Sequence, residues 1–342
     1  MFIHLTQKVQ RTVTALIVLF LLSACSEPQQ EVQLTGRTMG TTYSVKYLEQ
    51  EGIPDSATVQ AEIDRLLELV NDQMSTYRKT SELSRFNQHT TDEPFSVSDD
   101  TAKVIKEAIR LNVLTRGALD VTVGPLVNLW GFGPEARQEV VPTETELAER
   151  RAIIGIQHLS INNNEVTKDI PELYVDLSTI AKGWGVDKVA DYLQQLGSED
   201  YLVEIGGELR LKGKNKEGVA WRIAIEKPST DARTIQEIIE PGDMGLATSG
   251  DYRNYFERDG IRYSHIINPE TGKPISHKVV SVSVLDPSCM TADGLATGFM
   301  VLGAEKALEL ANRDNIPMFM VVKTDDGFEE IASDAFKPYL KR

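Results

Sequence analysis

Two cysteines, Cys25 and Cys289, are all that this 342-residue chain carries. If Cys25 is consumed by the processing argued below, no internal disulfide is possible even in an oxidising compartment, and Cys289 reads as a small buried hydrophobe. Basic charge is also scarce: 36 lysines and arginines face 51 acids, a net charge of −15. That balance excludes a nucleic-acid binder driven by counterion release, and it keeps the body of the chain off anionic lipid. No Gly-x-Gly-x-x-Gly follows a first strand, which argues against a dinucleotide fold of the Rossmann type. The one sustained apolar run, Val13–Leu22, is too short for a comfortable membrane span. No low-complexity linker or composition break divides the rest. With 41% hydrophobic residues, it can bury a large core as one domain of one or two lobes.

The N-terminus reads as a processing signal. Lys8 and Arg11 precede the apolar run, which ends in Leu22-Ser-Ala-Cys25. Small residues before a cysteine at that point fit a lipoprotein signal over residues 1–24, with cleavage and acylation at Cys25. An ordinary signal peptide or a buried helix with an incidental cysteine is the alternative. Residues 25–33 then form the lipidated cysteine and a tether, and 34–342 the folded body. The expected location is the periplasmic side of a bacterial membrane. Ser26 favours the outer one.

Apolar spacing predicts helices over Val59–Val70, Thr101–Leu114, Glu144–Ile154, Gly185–Leu196, Thr291–Leu302 and Glu305–Asn312, the third opened by a Thr143/Glu146 capping box. Strands are expected at Gln33–Arg37, Thr41–Leu48, Leu159–Ile161, Glu165–Lys168, Leu173–Leu177, Tyr201–Ile205, Glu208–Lys212, Trp221–Ile225, Arg262–Ile266, Val279–Leu285 and Pro317–Lys323. Short polar turns such as Asn162-Asn-Asn164 make neighbouring strands antiparallel, so the class is α+β with mostly antiparallel sheets.

Two segments carry chemistry. Val175-Asp-Leu-Ser-Thr-Ile-Ala-Lys-Gly-Trp-Gly-Val-Asp187 places an acid, a lysine and two glycines at a helix entrance. Free N–H groups and the helix dipole favour an anion there, Gly183 and Gly185 would let it approach the backbone, and Lys182 adds a full charge. Asp176 beside a phosphate needs a ligand donor or a shared cation; otherwise Asp176 or Ser178 merely caps the helix. In the second segment, Met290–Leu302, Asp293 and Thr297 lie one helical turn apart on one face. A carboxylate and a hydroxyl so placed suit a hard cation that also grips a phosphate, although both have ordinary structural roles in a helix.

Together with Gly36-Arg-Thr-Met-Gly-Thr-Thr-Tyr43, Met74-Ser-Thr-Tyr77, Gly117-Ala-Leu-Asp-Val-Thr-Val-Gly-Pro125, Glu204-Ile-Gly-Gly207 and Ser264-His-Ile-Ile-Asn-Pro269, these segments resemble the FAD:protein FMN transferase (ApbE) family from about Leu34 onward. The resemblance implies a Mg2+-dependent enzyme that takes FAD, joins its FMN half to a threonine hydroxyl of a target protein through a phosphoester, and releases AMP. Met39, Tyr77, Ala118, Leu119, Asp120, Asp176, Lys182 and Ile267 match family positions at the FAD site. Asp293 and Thr297 match metal ligands through their side chains, and Thr179 matches one through its backbone carbonyl. Some members carry a second carboxylate just before the metal threonine; here it is Ala296, which leaves more of the cation to water, backbone and phosphate oxygen. Among five histidines, His265 alone lies in a matching motif and is the candidate base, while His89, His158 and His277 read as surface-turn residues.

The implied acceptors are threonine-bearing subunits of membrane redox complexes such as the sodium-pumping NADH:quinone reductase. They favour the inner membrane. Two other readings share the site: a Mg2+-dependent FAD pyrophosphatase giving FMN and AMP, and a non-catalytic flavin-binding lipoprotein.

Overall fold

Tyr43, Val45 and Tyr47 alternate with more exposed neighbours, which gives Thr41–Leu48 one face to bury. In the computed structural model, which describes residues 30–133, 141–226, 235–251, 255–258 and 261–340, this segment is strand β2. Cys25 and the signal segment lie outside the described residues. β1 (Glu31–Thr38) starts two residues before the expected Gln33 and pairs with β2 along its whole length, from Glu31 opposite Leu48 to Thr38 opposite Thr41. The two-residue link, Met39-Gly40, has positive φ at both positions (48° and 72°), the conformation that matches the twist of a tight hairpin.

Helix α1 (Ser56–Met74) follows, then α2 (Glu82–Gln88), β3 (Phe95–Ser96), α3 (Asp99–Leu114), α4 (Gly124–Leu129) and α5 (Glu144–Arg151), the last opened by the expected Thr143/Glu146 capping box. β4 (Leu159–Asn162) and β5 (Glu165–Lys168) join β3 in a small sheet, and α6 (Ala181–Gln195) comes next. The chain continues as β6 (Tyr201–Ile205), β7 (Glu208–Lys212), β8 (Ile223–Glu226), β9 (Ile235–Ile239), β10 (Gly245–Gly250), β11 (Tyr255–Arg258), β12 (Ile261–Ser264) and β13 (Val279–Asp286). It ends with α7 (Cys289–Leu302), α8 (Ala304–Arg313), β14 (Met318–Lys323) and β15 (Phe328–Ala332). The main sheet has eight strands in the order β1-β2-β6-β7-β10-β13-β14-β15, every neighbouring pair antiparallel, and is open between β1 and β15. The α+β expectation holds.

Helices pack on the sheet and bury α7 between them. Every residue of α7 except Thr297 and Leu302 is buried, as its nearly all-apolar sequence demands. Its start is pinned by Asp187 of α6, which accepts hydrogen bonds from the Cys289 and Met290 amides (both 3.0 Å) and from Ser288 Oγ (2.7 Å), while Arg210 of β7 reaches the same carboxylate at 3.0 Å.

Three expectations change here. The helix expected at Gly185 begins at Ala181, so Gly183 and Gly185 lie inside it. A Cβ on Gly183 would stand 2.4 Å from the Cys289 carbonyl oxygen, and one on Gly185 would stand 2.9 Å from Met39 Cε. These glycines let α6 approach α7 and the hairpin; they are not there to admit a ligand. Leu173–Leu177 is extended but joins no sheet. Its polar groups are satisfied instead by Asn87, whose side chain bonds both N–H and C=O of Val175 (2.8 Å each), by Lys168 Nζ on the Leu173 carbonyl (3.0 Å) and by the Val121 carbonyl, which accepts the Asp176 amide (2.7 Å). His277 is also not a surface-turn residue. It is half-buried against the end of α7, with Nε2 2.9 Å from the Met300 carbonyl oxygen, and burial pushes its pKa down.

Because the atom facing a Gly183 Cβ is backbone, Gly183→Ala is expected to lower unfolding stability by about 1–3 kcal/mol, measured by denaturant titration without ligand. An unchanged midpoint would show that α6 and α7 can part freely.

Candidate active site

The β1–β2 turn, the C-terminal half of α1, the loop Ser75–Arg78 and the segment from Asp176 to Lys182 enclose a cleft of about 1260 Å3. Ordinary small-ligand clefts hold roughly 300–1000 Å3, so this one has room for a dinucleotide. Four of the expected FAD-site residues line it: Met39, Tyr77, Asp176 and Lys182. Met39 is placed by its left-handed φ, uncommon for a residue with a side chain and here fixed by the hairpin. Tyr77 stands 74% exposed on the rim, a ring surface free to stack on a ligand. Burial raises the Asp176 pKa, and its Oδ1 accepts the Ser178 amide at 2.9 Å. That bond closes a local turn; the N-cap position of α6 is Ile180, so neither Asp176 nor Ser178 caps this helix.

The other expected FAD positions do not line this cleft. Asp120 accepts from the Thr122 amide (2.8 Å) and hydroxyl (2.6 Å), burial raises its pKa, and the neighbouring Val121 carbonyl anchors Asp176. Ala118 and Leu119 are core residues. Leu119 packs on α7 at Gly294 and Gly298, and its own amide and carbonyl are bonded to Thr115 Oγ1 (3.0 Å) and Asn112 Nδ2 (2.7 Å). Ile267 is buried with Trp130 and Phe256, and His265 sits edge-on to Phe132 at a ring separation of 6.3 Å. None of these five is among the residues lining the cleft.

Lys182 of the cleft wall is in contact with concentrated buried charge. Lys182, in the first turn of α6, places Nζ 2.7 Å from Glu208 Oε1 and 3.7 Å from Asp293 Oδ1. The Gly183 amide donates to Asp293 Oδ2 at 3.0 Å, so this helix-entrance donor already serves a protein carboxylate. Burial opposes the lysine charge, but Asp293 and Glu208 outweigh it and hold the ammonium protonated well above its ordinary range. Burial and the charge of Glu208 push Asp293 up to about 7, against the pull of Lys182 and the Gly183 amide. Sequence reasoning missed Glu208. The only signal was an acid at the head of a strand, directly after Gly206-Gly207.

The oxygen donors nearby fit a hard cation. Thr297 is one turn along α7 from Asp293 and is not buried, unlike its neighbours. Thr179 precedes Ile180, whose Cδ1 lies against α7 at Gly294, and Thr179 Oγ1 is buried with no hydrogen-bond partner among the described residues. Among the described residues no three His, Cys, Asp or Glu side chains converge on one point. The set is therefore one carboxylate with hydroxyl and carbonyl oxygens, which suits a cation completed by water and phosphate oxygen. Ala296 is buried and adds nothing to it.

A family model described as the ApbE family matches residues 39–320. The chain belongs to the ApbE family. It is 70% identical over 328 residues, 96% of its length, to a Vibrio cholerae serotype O1 protein named FAD:protein FMN transferase, of which it covers 98%. A Haemophilus influenzae protein of the same name is 53% identical over 323 residues, 92% of this chain and 93% of that one. Among solved structures, the flavin transferase ApbE from Vibrio cholerae superposes with a TM-score of 0.87 at 70% identity over 92% of this chain and all of its own. The apo flavinyl transferase ApbE of Pseudomonas stutzeri gives 0.85 at 43%, over 91% and 97%. As a member of this family the enzyme is a transferase.

Tyr77 packs against little, so Tyr77→Ala is expected to leave unfolding stability within about 0.5 kcal/mol while weakening FAD binding by about 1–3 kcal/mol. Flavin fluorescence titration together with a melting curve checks both. Unaltered FAD affinity would remove the ring from the site.

Proposed function

We propose that the enzyme transfers FMN from FAD to a threonine hydroxyl of a target flavoprotein with the help of Mg2+, releasing AMP. One observation carries this reading: a dinucleotide-sized cleft is lined by Lys182, whose ammonium stands 3.7 Å from the buried Asp293 carboxylate. In an acidic protein, Lys182 supplies the local positive ground that a diphosphate requires. The names of the relatives add FAD as donor and FMN as the group moved.

In the proposed step the threonine oxygen bonds to the FMN-side phosphorus, the phosphoanhydride bond on the far side breaks, and AMP leaves with the bridging oxygen. Met39 and Tyr77 grip flat rings, and Lys182 holds charge on the diphosphate. Bound at Asp293, Thr297 and the Thr179 carbonyl, Mg2+ would supply Lewis acidity to the same phosphates. His265, on the loop that ends at Pro269, takes the hydroxyl proton in this reading. Among the described residues no helix is long and apolar enough to cross a membrane. We propose that an acylated Cys25 provides the membrane attachment, on the periplasmic side. There the enzyme meets threonine-bearing subunits of membrane redox complexes such as NADH:quinone reductases, and both partners search in two dimensions.

Incubating residues 26–342 with FAD, Mg2+ and a purified acceptor subunit should add one FMN residue to the acceptor, read by intact-mass spectrometry. The addition should vanish with EDTA or with Asp293→Ala. Free FMN and AMP without acceptor modification would establish the pyrophosphatase, and unreacted bound FAD a flavin-binding protein.

The raised Asp293 pKa gives a pH test with a definite sign. Its folded value of about 7 exceeds the unfolded 3.8, so between them the native state binds more protons than the unfolded one. Its contribution therefore declines as pH rises and is at its worst above 7, where a cation offsets the stranded charge. The Mg2+-induced rise in Tm should be larger at pH 8 than at pH 6. The opposite order would take Asp293 out of the metal site.

A further inference from the structure

Lys182 lies between two buried carboxylates, and the one that holds it is not the expected metal ligand. Its contact with Glu208 is a hydrogen-bonded ion pair at 2.7 Å, whereas the 3.7 Å to Asp293 Oδ1 is too long for a hydrogen bond. Asp293 Oδ2 is engaged by the Gly183 amide, which leaves Oδ1 as the oxygen open to a cation. Glu208 is 4% exposed, and its Oε2 has no hydrogen-bond partner among the described residues. An incompletely satisfied buried carboxylate is costly, and pairing with Lys182 is what offsets the cost.

The placement is built into the fold. Glu208 heads β7 after Gly206 and Gly207, both at positive φ (63° and 110°), and a Cβ on Gly206 would stand 2.9 Å from Thr41 Cγ2 on the cleft-lining hairpin. Two residues along the same strand face, Arg210 bonds Asp187 and Asp191 of α6 at 3.0 and 2.9 Å. β7 thus presents an acid and then a base to α6, each matched by a residue of opposite charge, and this pairing sets how far along α6 the lysine is drawn.

We propose that Glu208 is a positioning residue that draws the Lys182 ammonium away from Asp293, keeping Oδ1 open to a divalent cation while the lysine charge faces the cleft. The inference rests on the flavin-transfer reading above. Without the Glu208 charge, Lys182 has one carboxylate left; closing on Oδ1, it competes with the cation for the same oxygen.

The test is the Mg2+ dependence of FAD binding, followed by flavin fluorescence without acceptor, in the purified enzyme and three variants. Glu208→Gln is expected to raise the Mg2+ midpoint by about tenfold or more, and Glu208→Asp by less. Adding Lys182→Met to Glu208→Gln should return the midpoint to within about threefold of the wild type, because the competing ammonium is gone, while FAD affinity at saturating Mg2+ stays weak. A merely structural role would not be reversed by removing the lysine. Unchanged midpoints in the Glu208 variants, or a double variant as impaired as Glu208→Gln, would overturn the proposal. If Glu208→Gln does not fold, an unchanged midpoint in Glu208→Asp overturns it alone. A wild-type enzyme whose FAD binding ignores Mg2+ would instead refute the cation reading, and this proposal with it.

Discussion

The Asp187 carboxylate is the joint on which the architecture turns. It receives two amides and a hydroxyl from the start of α7 and the guanidinium of Arg210 from β7, and so locks a buried helix, a second helix and the middle of the sheet into one relative position. Such a joint works only if backbones can come close. Gly183 of α6 and Gly245 of β10 leave that room on two sides of Cys289, where added Cβ atoms would stand 2.4 and 2.7 Å from its backbone. The functional groups inherit this precision: Lys182 lies five residues before Asp187 on the same helix, Asp293 lies in the second turn of the helix that Asp187 caps, and Glu208 lies two residues before Arg210. Few side chains at the site can drift without breaking that joint, which is the condition for preorganised electrostatics.

A chain with a net charge of −15 that binds a doubly phosphorylated ligand must set like charges close together. It does so by assigning charges rather than adding cations. One lysine sits between two acids, so with both acids ionised the cluster is one charge short of neutral, a deficit that a divalent cation would reverse. In the proposed mechanism, the positive potential for the diphosphate would appear only when cation and lysine act together. Such an arrangement would couple nucleotide affinity to metal supply without a dedicated cage of acids.

Much of this was legible in the sequence where a residue's fate depends on its neighbours along the chain. Thr41–Leu48, Glu165–Lys168, Tyr201–Ile205 and Glu208–Lys212 were all readable from alternation and flanking turns, and the capping box of α5 from Thr143 and Glu146. Reading failed where distant partners decide. Gly245–Gly250 contains no β-branched residue except Thr248 and no aromatic; it is a strand because β7 and β13 flank it. Leu173–Leu177 has the composition of a strand but spends its backbone on Asn87, Lys168 and Val121. The glycines of α6 looked like a ligand turn because their real neighbours are more than a hundred residues away on α7 or on the hairpin. For the site, Met39, Tyr77, Asp176 and Lys182 line one cleft, whereas Ala118 and Leu119 are buried in the core. Glu208 was invisible because nothing along the chain reports that a strand's first residue will meet a helix's first turn.

In the proposed mechanism the diphosphate of FAD and a divalent cation meet beside Lys182 and Asp293. A crystal structure with FAD and Mn2+, using the anomalous signal of the metal, tests it most directly. The expected peak lies at about 2.1–2.2 Å from Asp293 Oδ1 and from a diphosphate oxygen, with the flavin between Met39 and Tyr77 and Lys182 still paired with Glu208. A metal peak away from Asp293, or FAD bound outside this cleft, would contradict it.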